Sequence, residues 1–391
     1  MTTYNSNKYL YLDNASTSFP KPECIFESMK VYGQNIGTNP GRSGNSLSKQ
    51  GDEIITETRK LVCQVLGLNQ EKFSNIVFTS NATSALNMTI KGLLKKGDHV
   101  IISSYDHNSI IRPIHKLSEL GIVTYDIWEC DNKGNFDLNK LVDLVKNNTK
   151  LITFNHASNV IGNLMPIAKG IIFAKEHNIF SLVDATQVAG AMELNYELMT
   201  PDIICFTGHK SLLGPSGTGG FYISNPKLLE TVFEGGTGLN SHSKYQPESM
   251  PEKFESGTLN YHGIAGLNAS LKEILTEGIN NIYNNEYKLL QQLTDLLLKI
   301  DGVTLYGEIR EIKMPIISFT IPKLFPNDLA YILDNEFNVV VRPGLQCAPL
   351  LHKALGTYPN GTCRVSLGKY TTEEDINKFI EILSLIIKNH V

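Results

Sequence analysis

Two short segments of the chain end in groups that can do chemistry together. Ser181-Leu-Val-Asp-Ala-Thr-Gln-Val188 carries Asp184 at the end of an apolar run, and Phe206-Thr-Gly-His-Lys-Ser211 carries Lys210, 26 residues later. An apolar strand ending in Asp, then a second ending in His-Lys, sets a carboxylate and an amine at neighbouring strand ends. Pyridoxal phosphate (PLP) needs that pair. The amine forms a Schiff base with its aldehyde, and the acid keeps its pyridine nitrogen protonated so that the ring draws electrons. Taken singly, each residue reads more simply as a salt-bridged Asp or a surface Lys. Thr79-Ser-Asn-Ala-Thr-Ser-Ala-Leu86 falls between a predicted strand and a predicted helix. Free amides at such a helix start, helped by the hydroxyls of Thr83 and Ser84, hold a phosphate. Simple capping by Ser80 or Asn81 is the other reading.

Cys347 stands between Gly344-Leu-Gln346 and Ala348-Pro349, five residues after Arg342. Those neighbours suggest a loop. A nearby positive charge favours the thiolate, which is the nucleophilic form of cysteine. The alternative is a small buried hydrophobe, the usual fate of a free cysteine. Of 35 basic residues only six are Arg, namely Arg42, Arg59, Arg112, Arg310, Arg342 and Arg364. Arg replaces Lys where a planar fork must grip a carboxylate or phosphate, although ordinary surface pairing also uses it.

These groups must be positioned by regular elements. Ile76–Thr79, Val100–Ser103, Val123–Trp128, Leu151–Asn155, Ser181–Asp184, Ile203–Phe206 and Gly220–Ile223 read as strands. Helical patterns at Ser84–Leu94, Ser109–Leu120, Leu138–Lys146 and Ile167–His177 alternate with them. That alternation predicts an α/β fold, a mostly parallel sheet with helices on both faces. Most of these strands are followed by polar residues, where ligands of open α/β sheets bind. After about residue 260 the pattern changes. One long helical stretch, Ile264–Leu298, precedes strands at Met314–Ile321, Val339–Arg342 and Cys363–Leu367 and a closing helix at Thr372–Ile387. A large domain over 15–262 and a smaller α+β domain over 263–391, joined by 1–14, are expected.

Composition narrows the class. The 391 residues are 41% hydrophobic and 19% charged with a net charge of −4, which is ordinary globular composition. No broad basic surface for nucleic acid is expected, and no apolar run reaches the length of a membrane span. The polar start, Met1 to Tyr9, lacks the apolar core of a secretory signal. Six cysteines without paired spacing make neither a disulfide framework nor a metal site. The expectation is a cytoplasmic protein with reduced thiols.

Nine segments in order resemble the class V aminotransferase-fold PLP enzymes, within them the cysteine desulfurase and selenocysteine lyase branch. They are Tyr11–Pro22, Asn39–Gly44, Asp106–Pro113, His156–Gly162, Val183–Gln187, Thr207–Lys210, Phe254–Asn260, Arg342–Cys347 and Thr362–Leu367. The resemblance implies the PLP-dependent transferase fold (fold type I) and PLP as cofactor. It implies that Lys210 forms the Schiff base and moves the α-proton, that Asp184 pairs with the pyridine nitrogen, and that His107 stacks on the ring. Asn159 and Gln187 would bond the phenolic oxygen, and Ala82, Thr83, Thr207 and His209 would hold the phosphate. Thr258 would reach the phosphate of a neighbouring subunit, which implies a homodimer. Arg364 would grip the substrate carboxylate beside Asn159, with Arg342 a second candidate. Cys347 would take sulfur from L-cysteine as a persulfide, leaving alanine, and pass it to an acceptor protein. The remaining cysteines match no nucleophile position.

The chain departs from the family pattern at four places. Asp106 replaces a Glu, Ser16 an Ala, and Asn45 and Gln346 replace histidines; the last two are expected near the substrate. Selenocysteine lyase, a class V aminotransferase or β-lyase, and a catalytically idle sulfur-carrier scaffold are the rival readings. Lys210, Asp184, His107 and Arg364 together argue against the idle scaffold.

Overall fold

The computed structural model describes residues 9–40, 45–239, 241–311 and 313–390. Arg42 and most of the Asn39–Gly44 segment lie outside the described residues, as do residues 1–8. In chain order the first part contains β1 (Leu10–Tyr11), α1 (Glu23–Val31), α2 (Ser46–Val65), β2 (Ile76–Thr79), α3 (Ala82–Leu93) and β3 (Asp98–Ser103). There follow α4 (Asn108–Glu119), β4 (Val123–Trp128), α5 (Leu138–Leu144), β5 (Thr149–Asn155), α6 (Ile167–Glu176) and β6 (Phe180–Asp184). Next come α7 (Tyr196–Met199), β7 (Ile203–Thr207), β8 (Gly219–Ile223), α8 (Tyr261–Glu277) and α9 (Ile279–Leu297). The chain closes with β9 (Thr304–Tyr306), β10 (Ile316–Thr320), α10 (Pro326–Phe337), β11 (Val339–Val340), β12 (Arg342–Gly344), α11 (Pro349–Ala354), β13 (Thr362–Ser366) and α12 (Glu373–His390).

Seven strands form one sheet in the order β2-β8-β7-β6-β5-β3-β4, parallel except for β8, which runs against both neighbours. All seven coincide with the predicted strands to within two residues. Their short apolar runs are buried on both faces because helices cover each side. Along β3, Val100 and Ile102 pack with Ile110 and Ile114 of α4, while Ile101 faces the opposite core with Ile171 of α6. The fold is the expected α/β one.

The predicted helical stretch from Ile264 to Leu298 is two helices. Gly278 breaks it in a left-handed conformation, φ +90°, which a side chain would strain. Ile264, Leu267 and Leu271 of α8 join the core of the large sheet. Packing therefore groups α8 with that sheet, and we propose that the chain divides after α8 rather than at residue 263. A second sheet, β12-β13-β10-β9, is antiparallel and packs its own core with α9, α10 and α12. The strand predicted over Val339–Arg342 is split: β11 pairs in parallel with β1, while β12 joins β13. Among the described residues no helix is long and apolar enough to cross a membrane.

One buried ion pair ties a loop to the large sheet. Arg59 of α2 grips Glu255 in a two-point fork, 2.8 and 2.7 Å, with both side chains under a tenth exposed. Glu255 also accepts the amide of Phe78 in β2 at 2.7 Å. Removing one partner leaves the other charge buried and unpaired. Glu255→Gln is therefore expected to lose about 3 kcal/mol of unfolding free energy in a denaturant titration. A loss under about 0.5 kcal/mol, the scale of a neutral surface change, would contradict the pairing.

Candidate active site

The carboxyl ends of β2, β3, β5, β6 and β7 open onto a cavity of about 220 Å³. Nine of the ten residues expected to bind cofactor line it: Lys210, Asp184, Gln187, Asn159, His107, Ala82, Thr83, Thr207 and His209. Asn81, Ser109, Asn155 and Thr186 line it as well. Asp184 and Lys210 share this space with no ion pair between them, and the Asp184 carboxylate accepts the Thr186 amide at 3.0 Å. Burial raises the Asp184 carboxyl above its usual range. Burial lowers the Lys210 amine to about 8, with Arg364 pushing the same way and Asp184 opposing. Burial disfavours the charged form of either group.

Local sequence explains the placement. Asn81 caps α3 by accepting the amide of Ser84 at 2.8 Å. The cap leaves the amides of Ala82 and Thr83 unclaimed at the positive end of the helix. Gly219 permits this approach, since a Cβ there would meet the Asn81 backbone at 2.8 Å. His107 caps α4, its Nδ1 accepting the amide of Ser109 at 3.1 Å. That bond places the proton of the neutral ring on Nε2. Burial, then the charge of Lys210, lowers its pKa to about 4, so the ring is neutral near neutrality. The preceding Asp106 accepts the amide of Ser103 at 2.8 Å and the hydroxyl of Thr153 of β5. Asn155 donates to the carbonyl of Tyr105 at 2.7 Å. Asp106 in place of Glu thus braces the loop that carries His107.

Several expected residues are placed elsewhere. Thr258 is exposed on a separate cleft with Ser80, Ser84 and Phe233, and does not reach this chain's cavity. Arg364 does not line the cavity. Its guanidinium is buried behind Asn159, donating to the Asn159 carbonyl at 2.8 Å and to Asp13 at 2.5 Å. Arg342 and Cys347 are exposed on a rim cleft with Arg112. Cys347 is exposed, as a loop nucleophile requires, whereas Cys63, Cys130, Cys205 and Cys363 are buried. Its loop is anchored at both sides of the cavity: the Asn108 amide donates to the Cys347 carbonyl at 2.8 Å, and Asn159 donates to the Gln346 carbonyl at 2.7 Å. Gln346 and Cys347 both adopt positive φ, +40° and +60°. The Gln346 side chain turns away from the expected substrate position. It donates to the Thr362 carbonyl at 2.9 Å and accepts from His352 at 2.8 Å, which offsets the cost of the turn. Asn45 caps α2 by accepting the amide of Ser48 at 2.8 Å.

A clamp with no signal in the sequence holds the backbone at Lys210. The hydroxyl of Thr17 and the amine of Lys21 donate to the His209 carbonyl at 3.0 and 2.6 Å, and the Ser18 hydroxyl donates to the Lys210 carbonyl at 3.0 Å. The Tyr11–Pro22 motif contained these residues, but nothing in its spacing says that it folds onto residue 209.

Residues 10–379 match the family model for class V aminotransferases. A probable cysteine desulfurase of Methanothermobacter thermautotrophicus is 34% identical over 97% of this chain and 94% of the relative. A probable cysteine desulfurase of Pyrococcus abyssi is 32% identical over 98% and 96%. The apo structure of a cysteine desulfurase from Thermococcus onnurineus superposes with a TM-score of 0.91 at 32% identity, covering 98% of this chain and 96% of that one. With the strand-end cavity and its buried amine already in place, the chain belongs to the class V aminotransferase family. Known members of this family are PLP enzymes.

The electrostatics give a direct expectation. In the cofactor-free protein, labelling of Lys210 by acetic anhydride, read by peptide mass spectrometry, should be half-maximal near the amine's pKa of about 8. Asp184→Asn removes the charge that holds this pKa up, so the midpoint should fall further. A midpoint above 10 in the native protein, or a rise in the variant, would contradict the placement.

Proposed function

We propose that this chain is a PLP-dependent cysteine desulfurase that takes sulfur from L-cysteine, leaves L-alanine and holds the sulfur as a persulfide on Cys347. The observation that carries the reading is the joining of two parts. A cavity sets Lys210 beside Asp184, and the loop of the exposed Cys347 is hydrogen-bonded to the residue after His107.

The residues fit the cofactor. Three buried polar atoms of cavity-lining residues, Asn159 Oδ1, Thr186 Oγ1 and Thr207 Oγ1, have no partner. Buried polar atoms are costly unless paired, so these call for a polar ligand. Asp184 would hold the protonated pyridine nitrogen. The Thr207 hydroxyl, the Ala82 and Thr83 amides and His209 would hold the phosphate. Asn159 and Gln187 each donate one amide hydrogen to a backbone carbonyl, Gln346 and Ala15 respectively, and keep a second for the phenolic oxygen. His107 would lie over the ring. Bound in this way, PLP supplies an electron sink that weakens bonds at the α- and β-carbons of the amino acid.

The chain's own residues do the rest. With a pKa of about 8, Lys210 keeps a neutral fraction near neutrality, enough to add to an aldehyde and then move a proton at the α-carbon. Arg364, beside Asn159, would bind the substrate carboxylate, with Arg342 at the rim. The Cys347 thiolate attacks the substrate sulfur. An S–S bond forms as the Cβ–Sγ bond breaks, the sulfur keeps its hydrogen, and the bonding pair stays with carbon. A proton from Lys210 completes the methyl group of alanine. The persulfide, on an exposed residue, is then open to the thiol of an acceptor protein. The exposure of Thr258 away from its own cavity supports a homodimer in which each chain completes the other's phosphate site.

Cys347→Ser should bind PLP with the yellow colour of the unaltered protein and lose sulfide release from L-cysteine by about a hundredfold or more, as removal of a covalent nucleophile does. Equal sulfide and alanine output from both proteins would overturn the persulfide role.

A further inference from the structure

Arg364 is occupied. Its Nη2 donates to Asp13 Oδ1 at 2.5 Å and to the Ser16 hydroxyl at 2.8 Å, its Nη1 donates to the Asn159 carbonyl at 2.8 Å, and only its buried Nε has no partner. Ser16 in turn donates to the same Asp13 oxygen at 2.8 Å. The Arg364 side chain is 3% exposed and that of Asp13 10%. An amino-acid carboxylate cannot take a two-point grip on this guanidinium while Asp13 holds it.

We propose that Asp13 is a positioning residue, an internal carboxylate that occupies Arg364 until the carboxylate of an α-amino acid displaces it. The inference rests on the reading of Arg364 as the substrate's carboxylate site. Physical chemistry favours an exchange over simple addition. A buried guanidinium left without a counterion is strongly destabilising, so the site must carry one carboxylate when empty and can release it only to another. The incoming ligand then gains the difference between two ion pairs rather than one whole pair. Amino acids with a single carboxylate are thereby held loosely enough to leave as product.

The displaced segment also touches Lys210. Asp13 belongs to a strap that pairs with the smaller sheet at Ser366. Four residues further on, the strap donates from Thr17 and Ser18 to the carbonyls of His209 and Lys210. Tyr11 fastens the two ends, its hydroxyl donating to the Thr17 carbonyl at 2.9 Å. Exchange at Arg364 therefore reaches the loop that carries the amine.

The test uses the PLP-loaded protein and L-alanine, which carries the carboxylate but no sulfur. Calorimetry should show Asp13→Asn binding L-alanine about tenfold more tightly than the unaltered protein, because one charge-assisted hydrogen bond no longer has to be broken. Asp13→Glu, which keeps the competitor, should stay near the native affinity. L-alanine should also raise the melting temperature of Asp13→Asn more than that of the native protein. If Asp13→Asn does not fold, amide hydrogen exchange on the native protein decides: L-alanine should speed exchange over residues 11–18. Unchanged or weaker binding in a folded Asp13→Asn protein, or slower exchange in that segment, overturns the inference alone. Failure of the unaltered protein to bind any amino acid overturns the functional reading along with it.

Discussion

A lysine and an aspartate buried in one cavity without touching are the constraint on which the rest of the site depends. Had they paired, the lysine would be charged and inert. Kept apart at the ends of adjacent strands, each is shifted by burial towards its neutral form. Strand register sets the separation. Asp184 ends β6 opposite Cys205 of β7, and Lys210 follows the end of β7 by three residues. Behind the polar lining of the cavity, the sheet is covered by an apolar core on each face.

The second constraint is that the site lies between two sheets. The large sheet provides the amine, the carboxylate and the helix start that suits a phosphate, while the smaller one provides Arg364 and the Cys347 loop. The segment from Leu10 to Lys21 connects them, pairing with β11 at one end and clamping the residue before Lys210 at the other. The Cys347 loop is fixed in the same manner, with its backbone bonded to Asn108 and Asn159 and its Gln346 side chain anchored in the smaller sheet. Beyond β1 neither segment is regular secondary structure, yet both are held by several hydrogen bonds. Preorganisation of this kind lets loop residues act at fixed distances.

Much of this was legible in the sequence because it is local. The seven strands of the large sheet are short apolar runs closed by polar residues, and the polar residues do converge. Asp184 and Lys210 are visible as strand-end residues for the same reason. What was not legible is long-range. The Asp13–Arg364 pair joins residues 351 apart in sequence, and no spacing rule predicts it. The clamp from Thr17 and Lys21 onto residue 209 is hidden likewise. The split of β11 from β12 turns on which neighbour each finds, and the inward turn of the Gln346 side chain depends on His352 and on the Thr362 carbonyl across the loop. The break at Gly278 had a local signal, a glycine within a helical period, that the apolar pattern on either side overrode.

Among the described residues three lysines, Lys21, Lys210 and Lys313, have amines lowered to about 8 by burial, so low pKa alone does not choose among them. Only Lys210 faces the cavity that holds Asp184. The most direct test is to load the protein with PLP, reduce it with borohydride, digest it and map the pyridoxyl label by mass spectrometry. The account predicts one label per chain, on Lys210. A label on Lys21 or Lys313, or one spread over surface lysines, would contradict it.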